Sequence, residues 1–327
     1  MKTITKIMIG FMLITFLLVP VTTQLVSAKT DKIDVKEGQD AITITTEYIT
    51  MKIKEDKPHF IWWNGNQSTA DEMYNVQFNS IQEYFGDDEF LDTKSELVGG
   101  ISYNLQSNEY TWDTEIVEGD TDYTITLTLS GLANNVEIQF IMQIFESDQL
   151  LSGTDQVIDG LAEVKFDIIV KNWVFTEGAQ GLGIEALLLE SQKRHQVRVR
   201  NGSDEENGNR TRTMQYESEE HGKTHVAYYE WTTFADVYDD SVFISRIDVS
   251  NTILEESSQG VAHGEPAESG TIHHWLTYPN YGDSLTLVHD PSIGIYPESF
   301  TVSLYILPLI GGILATVFIV THYKKRK

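Results

Sequence analysis

The sequence predicts an all-β protein: one large antiparallel β-sandwich followed by a single C-terminal transmembrane helix. Three observations carry that prediction. Apolar residues recur at period two in many short runs separated by polar turns, the signature of strands with one buried face. Outside the two ends, no stretch shows the 3.6-residue apolar period of an amphipathic helix. Finally, residues 301–320 are predominantly apolar and carry no charge. The alternation resolves into roughly thirteen to fifteen strands, which fits a sandwich or barrel. No Pro/Gly linker or fixed-period repeat divides the region, so one sandwich over residues 29–300 is preferred to two smaller stacked ones.

The ends frame this domain. Lys2 and Lys6 precede the apolar run Ile7 to Val19, and Val26-Ser27-Ala28 offers small residues for cleavage, the three-part layout of a signal peptide over residues 1–28. Of the twenty residues Thr301 to Val320, twelve are Leu, Ile, Val or Phe. As a helix this run reaches about 30 Å, the thickness of a bilayer core. Lys324-Lys325-Arg326-Lys327 in the tail 321–327 then mark the cytoplasmic side. The expected location is therefore the cell membrane, as a single-pass type I protein with its ectodomain outside. Gly311 and Ala315 have the small-residue spacing that lets two such helices approach, so a helix-mediated homodimer is expected as a possible partner arrangement.

Charge divides along the same line. All 49 acidic residues lie in 29–300, together with 17 of the 23 basic ones, a net charge of −32. So acidic a surface repels nucleic acid and excludes it as a partner; divalent cations and basic partners remain open. With no cysteine, disulfides, thiolate metal sites and cysteine nucleophiles are excluded too. Stability must come from a large core.

Taken in order, Ile42 and Ile44, then Ile49, Met51 and Ile53, read as two strands. Asp56-Lys57-Pro58 turns the chain into His59 to Trp63. Tyr74, Val76 and Phe78 resume the pattern, and Ser80 to Phe85 read as a short helical turn. Ile101 to Leu105 and Tyr110 to Trp112 read as a hairpin around Ser107-Asn108. Strands follow at Tyr123 to Leu129 and Val136 to Phe145. Val164, Phe166, Ile168 and Val170 give the cleanest alternation of the chain. Ile184 to Leu189, the basic segment Lys193 to Arg200, Met214 to Tyr216, Val226 to Trp231, Val242 to Ile247, Ile272 to Tyr278 and Leu285 to His289 complete the set. Glu255 to Gly270 read as a mobile loop.

Chemistry is harder to read. His221 and His225 are four apart, beside Glu219 and Glu220 and with His273-His274 downstream, but Gly222 stands where a zinc protease needs Glu, and the setting is a hairpin tip. Asp87, Asp88 and Glu89, with Asp120 and Asp122, are candidate calcium ligands, since hard cations take converging oxygens from loops; calcium is the one cofactor the sequence leaves open. Glu109, Asp113 and Glu115 share strand parity, yet neighbours of like parity lie about 7 Å apart, beyond retaining-glycosidase spacing. Neither Glu-x-Asp-x-Glu nor Gly-x-Ser-x-Gly occurs. Gly178 to Gly183 follow a strand but precede another, so a phosphate cradle is not expected. Trp62 and Trp63 are adjacent on one strand and must point to opposite faces, which makes them candidates for stacking on a sugar ring. Asn66, Asn201 and Asn209 begin glycosylation sequons. Asp290-Pro291 reads as a turn after the last strand.

Pro297-Glu298-Ser299-Phe300, the apolar helix and the basic cluster resemble the C-terminal sorting signals of prokaryotic surface proteins; a plain membrane anchor is preferred. The whole layout resembles uncharacterised archaeal surface proteins, which implies an envelope setting. Three functions are expected: a non-enzymatic module binding a glycan or protein ligand, an anchored carbohydrate-active enzyme, or a calcium-stabilised structural protein.

Overall fold

The computed structural model describes residues 32–65, 73–150, 157–190, 196–200, 211–218, 223–254 and 271–296. The expected signal peptide, membrane helix, tail and three sequon asparagines lie outside these residues. The described part is all-β and antiparallel. Apart from two single 3₁₀ turns, Lys94–Leu97 and Ala133–Asn135, its regular structure is strand.

The chain first builds one sheet from β1 (Asp34–Glu37), β2 (Ala41–Thr45), β3 (Ile49–Lys54), β4 (His59–Asn64), β5 (Tyr74–Tyr84) and β6 (Ser102–Asn104). It crosses to a second sheet for β7 (Trp112–Glu118), β8 (Asp122–Leu129) and β9 (Glu137–Phe145). A small ladder of β10 (Gln149–Leu150) and β11 (Val157–Ile158) intervenes. β12 (Glu163–Lys171) lies in the second sheet and β13 (Gly181–Glu190) in the first. The second sheet then gains β14 (Gln196–Arg200), β15 (Thr211–Ser218), β16 (Lys223–Thr232), β17 (Phe234–Asp239) and β18 (Val242–Asp248). β19 (Ser250–Ile253) and β20 (Thr271–Pro279) return to the first sheet, and β21 (Thr286–His289) with β22 (Pro291–Ile295) end in the second.

In space the first sheet runs β1-β2-β3-β4-β5-β13-β20-β19, with β6 also on β5. The second runs β14-β15-β16-β22-β12-β21-β17-β18, with β9, β8 and β7 extending from the other edge of β12. One core fills the space between them, as the period-two pattern requires. Val164, Phe166, Ile168 and Val170 all point into it, as do Phe60 and Phe78 from the opposite sheet. The Phe78 ring meets Phe140 at 4.8 Å, and Phe60 meets Phe166 at 5.7 Å. Trp62 Nε1 crosses the core to donate to the Gly294 carbonyl at 3.2 Å, satisfying an indole that burial would otherwise leave unpaired.

Several sequence expectations need correction. Ser80 to Tyr84 continue β5, because β13, a hundred residues later, supplies a full ladder of backbone partners. Ile101 to Trp112 is no hairpin: β6 pairs with β5 while β7 pairs with β8 in the other sheet, so the chain passes between layers there. Asp290-Pro291 does not turn. β21 and β22 run consecutively along one edge of β12, with Asp290 in the break between them. The adjacent strand breaks at the same level, between β16 and β17 at Thr233. Such breaks, and short pairs such as β1–β2, raise the count to 22 strands.

Candidate functional site

The strands of the first sheet expose their second face, and its polar residues form the best candidate surface. His59, Gln77, Leu187 and His273 are aligned in one row across β4, β5, β13 and β20. At about 4.8 Å per strand the row covers roughly 14 Å. Trp63 stands on the same face of β4, half-buried, with the Lys52 ammonium 5.7 Å from its ring centre. Asn75, Gln77 and Asn79 alternate with the core residues Tyr74, Val76 and Phe78 and therefore face outward. His59 Nε2 and Asn75 Oδ1 are shielded from solvent and have no hydrogen-bond partner among the described residues. Burial, then the nearby Lys54 and Lys57, holds the His59 imidazole below its ordinary pKa, so the ring stays neutral.

The most organised group on this face is Glu185. β5 bulges at Asn79, which stands between Ser80, the partner of Glu185, and Phe78, the partner of Ala186, so two consecutive β5 side chains face the carboxylate. Asn79 Nδ2 donates to Oε2 at 2.5 Å, Ser80 Oγ donates to the same oxygen at 3.0 Å, and His273 Nδ1 lies 2.8 Å from Oε1. The carboxylate is 11% exposed and the imidazole 42%.

The outer face of the second sheet is also polar, but its charges answer one another. Along β12, Glu163, Lys165 and Asp167 share the face opposite the core. Lys165 pairs with Asp167 and, at 3.2 Å, with Asp290 in the strand break. Arg246 grips Asp236 through two bonds of 2.7 and 3.0 Å. Burial pushes the Asp167 carboxyl up, and a hydrogen bond with Asp290 adds to this. Burial opposes charge on Asp290 too, but Lys165, Asp167 and His289 together outweigh it and keep that group ionised. Glu163 is enclosed. Burial raises its pKa to about 8 although it accepts the Asp159 amide at 3.0 Å and the Tyr228 hydroxyl. Tyr228 reaches it by lying over Gly294, where a Cβ would fall 2.3 Å from the ring. No other residue fits there. Ser292 Oγ lies beside this carboxyl but makes no bond of normal geometry.

Beneath the break, His289 bridges both sheets. Its Nε2 meets the Thr232 carbonyl at 2.8 Å and its Nδ1 the Tyr278 hydroxyl at 2.8 Å, which fixes the proton on Nε2. Burial pushes His289 down to about 4 and the neighbouring core residue His274 to about 3.

The remaining predicted residues are placed as follows. Trp62 is fully buried and cannot stack on an external ring; its bond to Gly294 makes it an inter-sheet tie. Asp87, Asp88 and Glu89 are exposed in the loop after β5, while Asp120 and Asp122 flank the β7–β8 turn in the other sheet. Among the described residues no group of three or more His, Asp or Glu is arranged to hold a metal ion. Asp113 joins Asp40, Glu55 and Asp56 along an open groove of about 530 Å³ at one end of the sandwich. Glu115 is exposed on β7. His273 and His274 point to opposite faces of β20, and the His221–His225 pair lies outside the described side chains. Glu185, His59 and the three outward carboxamides were missed because they occupy the polar phase of otherwise ordinary strands, and His273 was considered only with His274 as a zinc candidate.

No family model matches the chain, and no curated protein matches its sequence. Among solved structures it is similar to heparan sulfate lyase HepC from Pedobacter heparinus, at 7% identity and a TM-score of 0.35. The match covers 79% of this chain and 33% of the lyase, so the chain spans about a third of that protein's length.

Proposed function

We propose that this protein is a cell-surface binding module that takes a glycan on the outer face of its first sheet, held to the membrane by residues 301–320. The observation that supports the reading is the company Trp63 keeps. An accessible indole shares one sheet face with Asn75, Gln77, Asn79 and a neutral His59, groups that exchange hydrogen bonds with hydroxyls in either direction. A flat aromatic face next to fixed amides suits the apolar face and hydroxyl rim of a sugar ring. The strongly negative charge of residues 29–300 agrees with an exterior setting and argues against nucleic acid. The enzyme reading draws no support from the acidic groove, whose carboxylates have no partner aromatic accessible beyond Tyr110.

The test is a glycan-array measurement on the detergent-solubilised full chain. Retention of at least one oligosaccharide class is expected, weakened tenfold or more by Trp63→Ala with an unchanged melting temperature. Absence of any bound glycan, or full binding by the variant, would overturn the reading.

A further inference from the structure

We propose that His273, positioned by Glu185, is a general base on the first sheet's outer face, and that it hydrolyses an ester carried by the ligand bound there. The inference rests on the glycan-binding reading and extends it to chemistry.

The geometry has three parts. Glu185 spends both oxygens on Asn79, Ser80 and His273, three donors around one carboxylate. A carboxylate so placed is an acceptor only, so the imidazole proton sits on Nδ1 and Nε2 presents a lone pair. Nε2 has no partner among the described residues and belongs to a ring that is 42% exposed. This is the base-and-orienter half of the nucleophile–base–orienter arrangement. Among the described side chains that β5, β13 and β19 direct at His273, Glu185 is the charged one; the others, Asn79, Ser80 and Leu187 included, are neutral. The β-bulge of β5 at Asn79 accounts for the placement: without it, the consecutive residues Asn79 and Ser80 would point to opposite faces and could not both reach one oxygen.

The substrate class follows from what the face lacks. Glycosidic cleavage needs two carboxyl groups across the bond. On the outward face of β4, β5, β13 and β20, Glu185 is the carboxylate among the described side chains, and its oxygens are spent. An ester needs less. His273 Nε2 takes a proton from water as the water oxygen adds to the carbonyl carbon and the carbonyl π electrons move to oxygen. As the oxyanion collapses, the bond to the sugar oxygen breaks, and Nε2–H returns the proton to that leaving oxygen. Water is the sole co-reactant, and a carboxylic acid and a free hydroxyl result. His273 is thus the catalytic residue and Glu185 a positioning residue.

The experiment follows acetate release by the full-length chain from partially O-acetylated xylo-oligosaccharides, with 4-nitrophenyl acetate as a ligand-independent ester. A rate well above that of free imidazole at equal concentration is expected, falling about a hundredfold or more in His273→Ala. Glu185→Gln is expected to lower kcat with little change in KM and to displace the pH–rate profile, whereas a merely structural role would leave the profile where it is. Melting temperatures check that each variant is folded. A wild-type rate equal to that of imidazole, or one untouched by His273→Ala, overturns the proposal. Array binding without hydrolysis defeats this inference alone; loss of both defeats the glycan reading with it.

Discussion

The two outer faces of the sandwich are built on the same alternation and end in opposite states. On the second sheet, Lys165, Asp167, Asp290, Asp236 and Arg246 neutralise one another, and Glu163 is closed in under Tyr228. On the first, the polar groups are mostly uncharged and half-exposed, and His59 Nε2 and Asn75 Oδ1, shielded from solvent, have no partner among the described residues. Enclosed charges such as Lys165 that find their partners within the fold act on stability, because removing one leaves the rest uncompensated. Neutral, half-exposed groups such as Gln77 cost little at the surface, and a shielded polar atom left unpaired gains most when a ligand supplies its partner. The difference lies in where the donors and acceptors are spent.

Substitutions can break this contrast. The largest effect is expected on the second sheet: Lys165→Met leaves Asp290 in the strand break without its cation and should destabilise the protein by about 4 kcal/mol, read as a fall in urea midpoint. A smaller effect comes from pH. Glu163 titrates at about 8 in the fold against an ordinary 4.5, so its contribution is fully present below pH 4.5 and lost as pH rises through 8. Between pH 6 and 9 this amounts to a loss of about 3 kcal/mol. Glu163→Gln should flatten that part of the stability curve. The histidines act on the other limb. His274 is held down to about 3, so its contribution is present above pH 6.5 and lost toward pH 3. The smallest effect is expected on the first sheet, where Trp63→Ala should change unfolding free energy by less than about 1 kcal/mol while reducing glycan retention. A stability loss at Trp63 as large as that at Lys165 would erase the distinction between the faces.

The inward half of each strand was legible in the sequence and the outward half was not. Val164, Phe166, Ile168 and Val170 are all fully buried, as their alternation requires. The intervening Glu163, Lys165 and Asp167 read as solvent-facing, yet Glu163 and Lys165 are enclosed, because Tyr228 and Asp290 reach them from positions sixty and more residues away. Local pattern carries no trace of such cross-strand cover. Ser80 to Tyr84 looked helical for a related reason: their strand state depends on the distant β13. Trp63 was legible as a surface candidate because two adjacent tryptophans on a strand must diverge. The Glu185–His273 pair was not, since its members stand 88 residues apart and meet only through the β13–β20 register.

The paired break at Thr233 and Asp290 also decides how the molecule would bear tension. β22, the last described strand before residue 297, lies in the middle of the second sheet, bonded to β12 on one side and β16 on the other. A pull delivered through the C-terminal segment would therefore enter at the centre of the sheet and load both ladders in shear, many hydrogen bonds at once, instead of peeling an edge strand bond by bond. Asp290 sits where that loaded strand ends, with Lys165 riveting it to β12.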